Sequence, residues 1–463
     1  MIYHIYSLSS WSYVRAKDLL GSLITTVKRP LVMILIIGLI IRVVLMPLLT
    51  YGYDVSYWTW AIQNIQAGHG LYEIDGYWYT PVWGYILGTM SSVMNIFGVA
   101  DYGHIFDAAI GLQSIPWFNY TATVTSPAFN VMVKIPIVMS DVLVGYIIYK
   151  LILGKTGDKK KATYGFALWF LCPIVIYTSA VHGMFDSIAV LFMVLSVYSL
   201  YKGHYFLAGA SLSVAVLTKI FPIYVIFALI AYLALKHKGE KDLLKHLGMA
   251  AAGLILMTLI IYMPQILDGT VMESLRFLTN RVGDVASGAA SAGIIDQIVM
   301  IAQKALVLMQ PVMLILAAVF AYMMYRRGNE KRDEHFFLCL MITTALIFLW
   351  SPEPRFMLMM LPFLIFFIVM FDRRFTLPYI LISVGMLFSS IIGHNFSLLL
   401  SLATYTNAVD AYRVVSLVEW MNGSFQTGML LMFAVTILVT IAGLLLIFLY
   451  SLRYTKEARD DER

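Results

Sequence analysis

Residues 428–450 read GMLLMFAVTILVTIAGLLLIFLY and contain no charged side chain. A helix of this length rises about 35 Å at about 1.5 Å per residue, enough to cross the roughly 30 Å hydrocarbon core of a bilayer. Over all 463 residues, 60% are hydrophobic and 13% are charged, against about 45–50% and about 25% in soluble domains. This composition excludes a soluble globular enzyme, a disordered protein and a DNA-binding module.

Similar apolar runs recur along the chain and predict an all-α polytopic membrane protein. Together with the last run they give 12 spans in one domain over residues 1–463. The other runs lie near 31–49, 128–150, 162–180, 187–201, 205–219, 221–235, 247–263, 305–325, 336–350, 356–371 and 376–392. A thirteenth apolar run covers residues 81–98.

The distribution of basic residues predicts the orientation, because short Lys- and Arg-rich connections face the cytoplasm. If residues 50–127 form one external loop, 24 of the 32 Lys and Arg fall inside, seven fall outside and Arg42 lies in the first span. The run at 81–98 is then a re-entrant or surface-lying helix of that loop. Both termini are expected to be cytoplasmic, in the plasma membrane or, for a eukaryotic chain, the endoplasmic reticulum.

Three predicted external segments are long: residues 50–127, 264–304 and 394–427. Connections longer than about 12–15 residues in a compact fold are usually functional. We therefore expect the chemistry on the external face, at the membrane boundary.

The first external loop places Asp54 just after the first span. Residues 55–67 carry Trp58, Ile62 and Ile65 on one helical face, a pattern typical of a short helix lying in the membrane interface. Asp54 would begin this helix, where it can act as an N-cap. It can also act as a general base at the water–lipid boundary, and both roles can hold for one residue.

Two motifs in the centre of the chain predict a polar cluster at the external end of the spans. Residues 182–187 read HGMFDS, and residues 217–222 read LTKIFP. His182, Asp186 and Lys219 could meet there, because charges near a membrane are costly and tend to pair. The alternative is a snorkelling lysine beside an ordinary loop histidine and aspartate.

Two further features sit inside predicted spans. Asp141 either satisfies a structural hydrogen bond between helices, the favoured interpretation, or is functional, as acids within the membrane often are. Cys172 and Cys339 are interpreted as small core residues.

The order of these motifs resembles that of the GT-C glycosyltransferases, which are polytopic enzymes. The chain is most similar to the dolichol-pathway glucosyl- and mannosyltransferases and the GPI mannosyltransferase-like proteins. The match covers about residues 31–371. Besides Asp54, HGMFDS and LTKIFP, it includes YWYTPVWGY (77–85), VKIPIVMSDVLVGYIIYK (133–150) and PEPRFMLMMLP (352–362).

The resemblance implies transfer of a hexose, with mannose favoured, from a polyprenyl-phosphate sugar to a lipid-linked or glycan acceptor on the external face, with inversion. The implied partners are the bilayer, the lipid-linked donor and the acceptor, without nucleic acid. Asp54 would be the catalytic base. The residues expected to bind the donor phosphate or sugar are Arg276, Arg281, Arg355, Lys219, His182, Asp186 and Glu353.

Some of these assignments have alternatives. Arg276 and Arg281 could instead anchor the protein to lipid headgroups, and Glu353 is slightly favoured as an ion-pair partner of Arg355. No cluster has zinc spacing, and we expect neither a metal nor a cofactor besides the donor lipid. A secondary transporter or lipid flippase is the alternative function, and a non-catalytic scaffold is a third.

Overall fold

The computed structural model describes residues 29–73, 76–105, 123–237, 242–275, 312–326, 332–350, 354–394, 397–406 and 408–460. Three residues of the predicted site, Arg276, Arg281 and Glu353, lie outside the described residues.

The described chain is helical almost throughout. Its first helices are α1 (Pro30–Leu45), α2 (Gly52–Gln66), α3 (Pro81–Ile96), α4 (Pro127–Thr156), α5 (Lys159–Phe170), α6 (Pro173–Ile176), α7 (Asp186–Lys202), α8 (Tyr205–Thr218), α9 (Ile226–Lys236) and α10 (Leu243–Asp268). The later helices are α11 (Val312–Arg326), α12 (Arg332–Trp350), α13 (Leu361–Met370), α14 (Thr376–Gly393), α15 (Leu400–Thr406), α16 (Ala411–Asn422) and α17 (Gln426–Asp460). A π-helical turn (Tyr177–His182) follows α6, and 3-10 turns cover Phe221–Val225, Pro354–Met359, Arg373–Phe375 and Ser397–Leu399.

Helix length and composition support a membrane protein. Within the described residues, four helical segments are long and apolar enough to cross a bilayer: Pro127–Thr156, Leu243–Asp268, Arg373–Gly393 and Gln426–Tyr454. A fifth candidate is the bent pair Lys159–Phe170 and Pro173–His182, with a 49° bend. Helices lie at each predicted span, but several are short, so the count of 12 crossings stays a prediction.

One small antiparallel ribbon accompanies the helices. Strand β1 (Gly103–Ile105) pairs with β2 (Thr123–Thr125), and Gly103 lies opposite Thr125. The side-chain amide of Asn130 at the start of α4 donates to the carbonyl of Pro47, at 2.9 Å, and the hydroxyl of Ser401 in α15 donates to the carbonyl of Thr125, at 2.7 Å. The first bond joins α4 to the segment after α1, and the second joins the ribbon to α15.

Helix α2 exists as predicted, but its apolar face packs against protein. Trp58 and Ile62 are fully buried, and Ile65 packs against the same cluster. The position of α2 relative to the membrane stays a prediction. The N-cap interpretation of Asp54 is wrong, because the cap is Tyr51 and Asp54 is the third helical residue. Its carboxylate is directed to other partners, described below.

Asp141 is held by a buried ion pair that joins α1 to α4. Nε and Nη2 of Arg42 donate to Oδ2 of Asp141 at 3.0 and 2.9 Å, and both side chains are completely buried. Arg42 also donates to the carbonyl of Phe170, at 2.9 Å. These contacts confirm the structural interpretation of Asp141. Cys172 and Cys339 are buried free thiols, as expected of core residues.

Helices α8 and α10 cross at two glycines. A Cβ atom on Gly209 would lie 1.8 Å from the carbonyl oxygen of Ala250, and one on Gly253 would lie 2.0 Å from that of Phe206. Small residues allow helix backbones to approach this closely in membranes. The crossing therefore depends on the absence of both side chains.

Replacement of Gly209 by alanine is expected to destabilise the protein by about 1–3 kcal/mol, because the added methyl group meets backbone that cannot move aside. Thermal unfolding in detergent measures the effect. Gly248→Ala is the matched control on α10, since nothing lies within 4 Å of a Cβ there and alanine favours a helix. Equal stability of the two variants would contradict the close crossing.

Candidate functional site

The HGMFDS motif forms a sharp turn between two helices. The π-helical turn ends at His182, Gly183 takes a φ of +77°, and α7 begins at Asp186. A Cβ on Gly183 would lie 2.9 Å from Cγ2 of Val55 and 3.1 Å from Cε of Lys134. Position 183 therefore requires glycine for two reasons: the backbone is left-handed, and α2 and α4 approach too closely for a side chain. Short π-helical segments frequently occur at functional sites.

This turn brings His182 to Asp54. Nε2 of His182 lies 2.5 Å from Oδ2 of Asp54, and Nη1 of Arg355 lies 3.2 Å from the same oxygen and 3.3 Å from Nε2. The three residues come from the π-helical turn, α2 and the Pro354–Met359 turn. Three predicted site residues, separated by up to 301 positions, therefore form one cluster.

The two oxygens of the Asp54 carboxylate differ in their contacts. Both contacts of this carboxylate use Oδ2, and among the described residues Oδ1 has no hydrogen-bond partner. The Asp54 side chain is 10% exposed. A neutral His182 that donates from Nε2 fixes the orientation of Asp54.

Asp186 and Lys219 form a neighbouring ion pair. Nζ of Lys219 lies 2.5 Å from Oδ1 of Asp186, which shows that this lysine pairs with a carboxylate and does not snorkel. Nζ also lies 4.6 Å from the ring centroid of Phe356, and Cζ of Arg355 lies 5.5 Å from that centroid. The ring of Phe356 thus lies near a cation of each group.

The second oxygen of Asp186 is unusual. Oδ2 is buried and finds no hydrogen-bond partner within the described part of the chain. An unsatisfied buried acceptor costs about 1–3 kcal/mol. This oxygen is therefore an acceptor that the described side chains leave unsatisfied.

Lys134 is a buried cation that the sequence reasoning missed. It is completely buried in α4, and its Nζ donates to the carbonyls of Met46 and Leu49, at 3.0 and 2.7 Å. These carbonyls follow the C-terminus of α1, where a cation is favoured. Lys134 is one of the seven basic residues on the predicted outer side. It lies within the predicted span 128–150, near the external end of that span. A charged residue at such a position was the signal that could have identified Lys134 as a site residue.

His394 is a second residue that the sequence reasoning missed. Its ring stacks on Tyr51 at 3.9 Å and packs edge-on against His182 at 4.2 Å between ring centroids. The hydroxyl of Tyr177 lies 2.6 Å from Nδ1 of His394. His394 stands at the predicted external end of a span, like His182, and this shared position was the available signal.

Tyr53 adds a neutral donor next to the carboxylate. Burial and then the neighbouring Asp54 carboxylate raise the pKa of Tyr53 above its usual value. The hydroxyl is therefore protonated at physiological pH and can donate a hydrogen bond.

An aromatic cluster packs around Phe185 of the HGMFDS turn. The ring of Phe185 stacks on Trp83 at 4.8 Å and packs edge-on against Tyr79 and Trp58 at 5.3 and 5.7 Å. Tyr79 and Trp83 belong to the YWYTPVWGY stretch. That stretch therefore buttresses the turn between His182 and Asp186.

No group of three or more His, Cys, Asp and Glu side chains is arranged to hold a metal ion in the described parts of the chain. Of the predicted site residues, Asp54, His182 and Arg355 form one cluster, and Asp186 and Lys219 form the adjacent pair.

The model of glycosyltransferase family 87 matches residues 127–352, which include His182, Asp186 and Lys219. With the apolar helices, this match defines the protein as a membrane glycosyltransferase. Over the matched residues the chain is similar to glycosyltransferase family 87, a GT-C-type family that uses polyprenyl-phosphate sugars, and the resemblance is confirmed there. No curated protein matches the chain.

Proposed function

We propose that the protein transfers a hexose, with mannose favoured, from a polyprenyl-phosphate sugar to a lipid-linked or glycan acceptor, with inversion at the anomeric carbon. The observation that carries this proposal is the buried cluster in which Asp54 contacts both His182 and Arg355. The class of enzyme comes from the family match, and the preference for mannose comes from the resemblance alone.

Asp54 is the proposed general base. Its Oδ1 would accept the proton of the acceptor hydroxyl while the hydroxyl oxygen attacks the anomeric carbon and the polyprenyl phosphate departs. The hydrogen bond between His182 and Oδ2 keeps the carboxylate in one orientation, and a positioned base of this kind contributes about 10²–10⁴-fold to a rate.

Basic side chains from three elements surround this point and suit a departing phosphate. Arg355 contacts Asp54, Lys219 lies near the ring of Phe356, and Lys134 lies beside Gly183. The planar guanidinium of Arg355 can bind two phosphate oxygens at once, whereas a lysine acts as a point charge. Cations fixed before the reaction stabilise the charge that develops on the leaving group. Arg276 and Arg281 remain candidates for the same role.

The site is proposed to face the exterior. Asp54, His182, Lys219 and Arg355 all lie on the side that the basic residues predict to be external. The proposed partners are therefore the bilayer, a donor presented in its outer leaflet and an external acceptor, without a metal or a further cofactor.

Transfer from a defined donor tests the proposal. Purified protein in liposomes is given polyprenyl-phosphate mannose, polyprenyl-phosphate glucose or GDP-mannose, together with a lipid-linked acceptor mixture. We expect radiolabelled product with polyprenyl-phosphate mannose, less with the glucose donor and none with the nucleotide sugar. Product formed from GDP-mannose alone would contradict the lipid-phosphate donor.

The alternative is a transporter or lipid flippase. It predicts movement of labelled lipid across the liposome membrane without formation of a new glycosidic bond. Flux with no product from either lipid donor would favour that function.

A further inference from the structure

A second polar cluster lies at the other end of the bundle formed by α7, α8, α9 and α10. Leu200 follows Asp186 by 14 residues on α7, which corresponds to about 21 Å along the helix axis. Leu200 borders a cavity there. This wall of the cavity is therefore far from Asp186.

The cavity has a volume of about 340 Å³, within the range of about 300–1,000 Å³ for small-molecule sites. Its walls are apolar and come from all four helices. They include Leu200, Ala208, Leu212, Leu233, Ala250 and Leu254. Such walls suit a hydrocarbon chain.

Polar side chains from three helices gather at one end of this cavity. The hydroxyl of Tyr205 lies 2.8 Å from Nε2 of His237, and the rings of His237 and His246 are 4.2 Å apart. Nζ of Lys236 lies 5.7 Å from the ring centroid of Tyr205. Within the part of the chain that is described, Nδ1 of His246 is buried and finds no hydrogen-bond partner.

Helix geometry places this cluster next to the cavity. Tyr205 precedes the lining residue Ala208 by three positions, Lys236 follows Leu233 by three, and His246 adjoins Leu247, which also lines the cavity. Residues three or four apart share a helix face. The cluster therefore lies within about one helical turn of the cavity wall on each of its three helices.

The helices around the cavity carry exposed apolar side chains. Phe206, Ile230 and Ile255 belong to the same three helices and are 42%, 46% and 56% exposed. In a membrane protein, exposed apolar side chains of this kind contact acyl chains. A lipid can therefore enter the cavity sideways from the bilayer.

We propose that this end of the bundle binds one phospholipid with an anionic headgroup. One acyl chain occupies the cavity, and the phosphate lies against Lys236, His246 and the Tyr205–His237 pair. Charge complementarity favours this occupant, because ammonium and imidazole N–H groups donate strong hydrogen bonds to phosphate oxygens. The basic residues predict that this end is cytoplasmic, where anionic lipids attract basic groups.

Native mass spectrometry of the purified protein tests this site. Phosphatidylglycerol and phosphatidylcholine with identical acyl chains are added to delipidated protein, and the bound fraction of each is measured. We expect one tightly bound phosphatidylglycerol. The double variant Lys236→Gln/His246→Gln is expected to bind it about tenfold more weakly, because charged hydrogen bonds are lost.

Two further variants separate headgroup from acyl-chain recognition. Ala251→Phe places a large ring at the exposed edge of the cavity and is expected to weaken binding of either phospholipid. Lys161→Gln removes an exposed positive charge on the same predicted side and is expected to bind like the unmodified protein. Thermal unfolding of each variant checks that it is folded.

Equal binding of the two phospholipids, unchanged in the double variant, would overturn the proposal. So would inorganic phosphate that displaces the lipid completely, since the acyl chain would then play no part. Preferential binding of polyprenyl phosphate over phosphatidylglycerol would overturn the choice of occupant.

Discussion

The variant Asp54→Asn is expected to lower the turnover number for sugar transfer by about 10²–10⁴-fold. The amide cannot accept the proton of the acceptor hydroxyl, yet it keeps the size of the carboxylate and one carbonyl oxygen. Steady-state transfer from polyprenyl-phosphate mannose measures the effect. The KM for the donor is expected to change far less than the turnover number, since Asp54 is proposed to act on the acceptor.

Asp101→Asn is the matched control for this variant. Asp101 is exposed and lies in the same predicted external loop, where its Oδ1 accepts a hydrogen bond from the amide of Gly103, at 2.9 Å. The substitution makes the same chemical change and is expected to leave transfer unchanged. If Asp54→Asn is folded and transfers as fast as Asp101→Asn, the base is another residue.

The second large effect is expected for stability. Asp141→Asn leaves the guanidinium of Arg42 buried without its carboxylate, and breaking a buried ion pair costs about 3–5 kcal/mol. Unfolding of the purified protein by heat or denaturant measures the loss. The folded fraction is expected to keep its turnover number, because the Asp141 carboxylate accepts its hydrogen bonds from Arg42 and holds α1 against α4.

Two control variants accompany the measurement on Asp141→Asn. The double variant Arg42→Met/Asp141→Leu removes both charges and is expected to recover most of the lost stability, since apolar replacement of a buried pair is often neutral. Asp333→Asn breaks the more exposed pair between Lys155 and Asp333, at 2.6 Å, and is expected to cost less than about 1 kcal/mol. A loss of turnover by folded Asp141→Asn would give this acid a functional role.

The sequence predicted the helical segments well because their cause is local. Each apolar run must satisfy its own backbone hydrogen bonds in a bilayer, and a helix does so within one segment. The helices at 30–45, 127–156 and 426–460 accordingly lie at predicted spans. The small ribbon of β1 and β2 was not predicted, since its strands have three residues each and pair across 17 intervening positions.

The site was predicted only in part. The motif order indicated Asp54, His182, Asp186, Lys219 and Arg355, but not which of them would meet. The motifs predicted a cluster of His182 with Asp186 and Lys219, whereas the structure joins His182 to Asp54 and Arg355.

Lys134 and His394 stayed hidden for a physical reason. Their partners are backbone carbonyls after α1 and aromatic rings of other elements, and no short-range pattern in the sequence encodes such contacts. The N-cap interpretation of Asp54 was wrong for a similar reason. The helix begins at Gly52, three residues before the predicted first helical residue at position 55, so Asp54 lies in the first turn and its carboxylate contacts His182.

The sequence by itself determined that the protein is a helical membrane protein and which residues carry charge near the ends of its helices. These properties follow from composition and from the cost of placing charge in lipid. Only the tertiary structure decided how the charges pair: Arg42 with Asp141, Lys219 with Asp186, and Arg355 and His182 with Asp54. Each pair joins residues at least 33 positions apart, and such distant residues meet only when the helices pack.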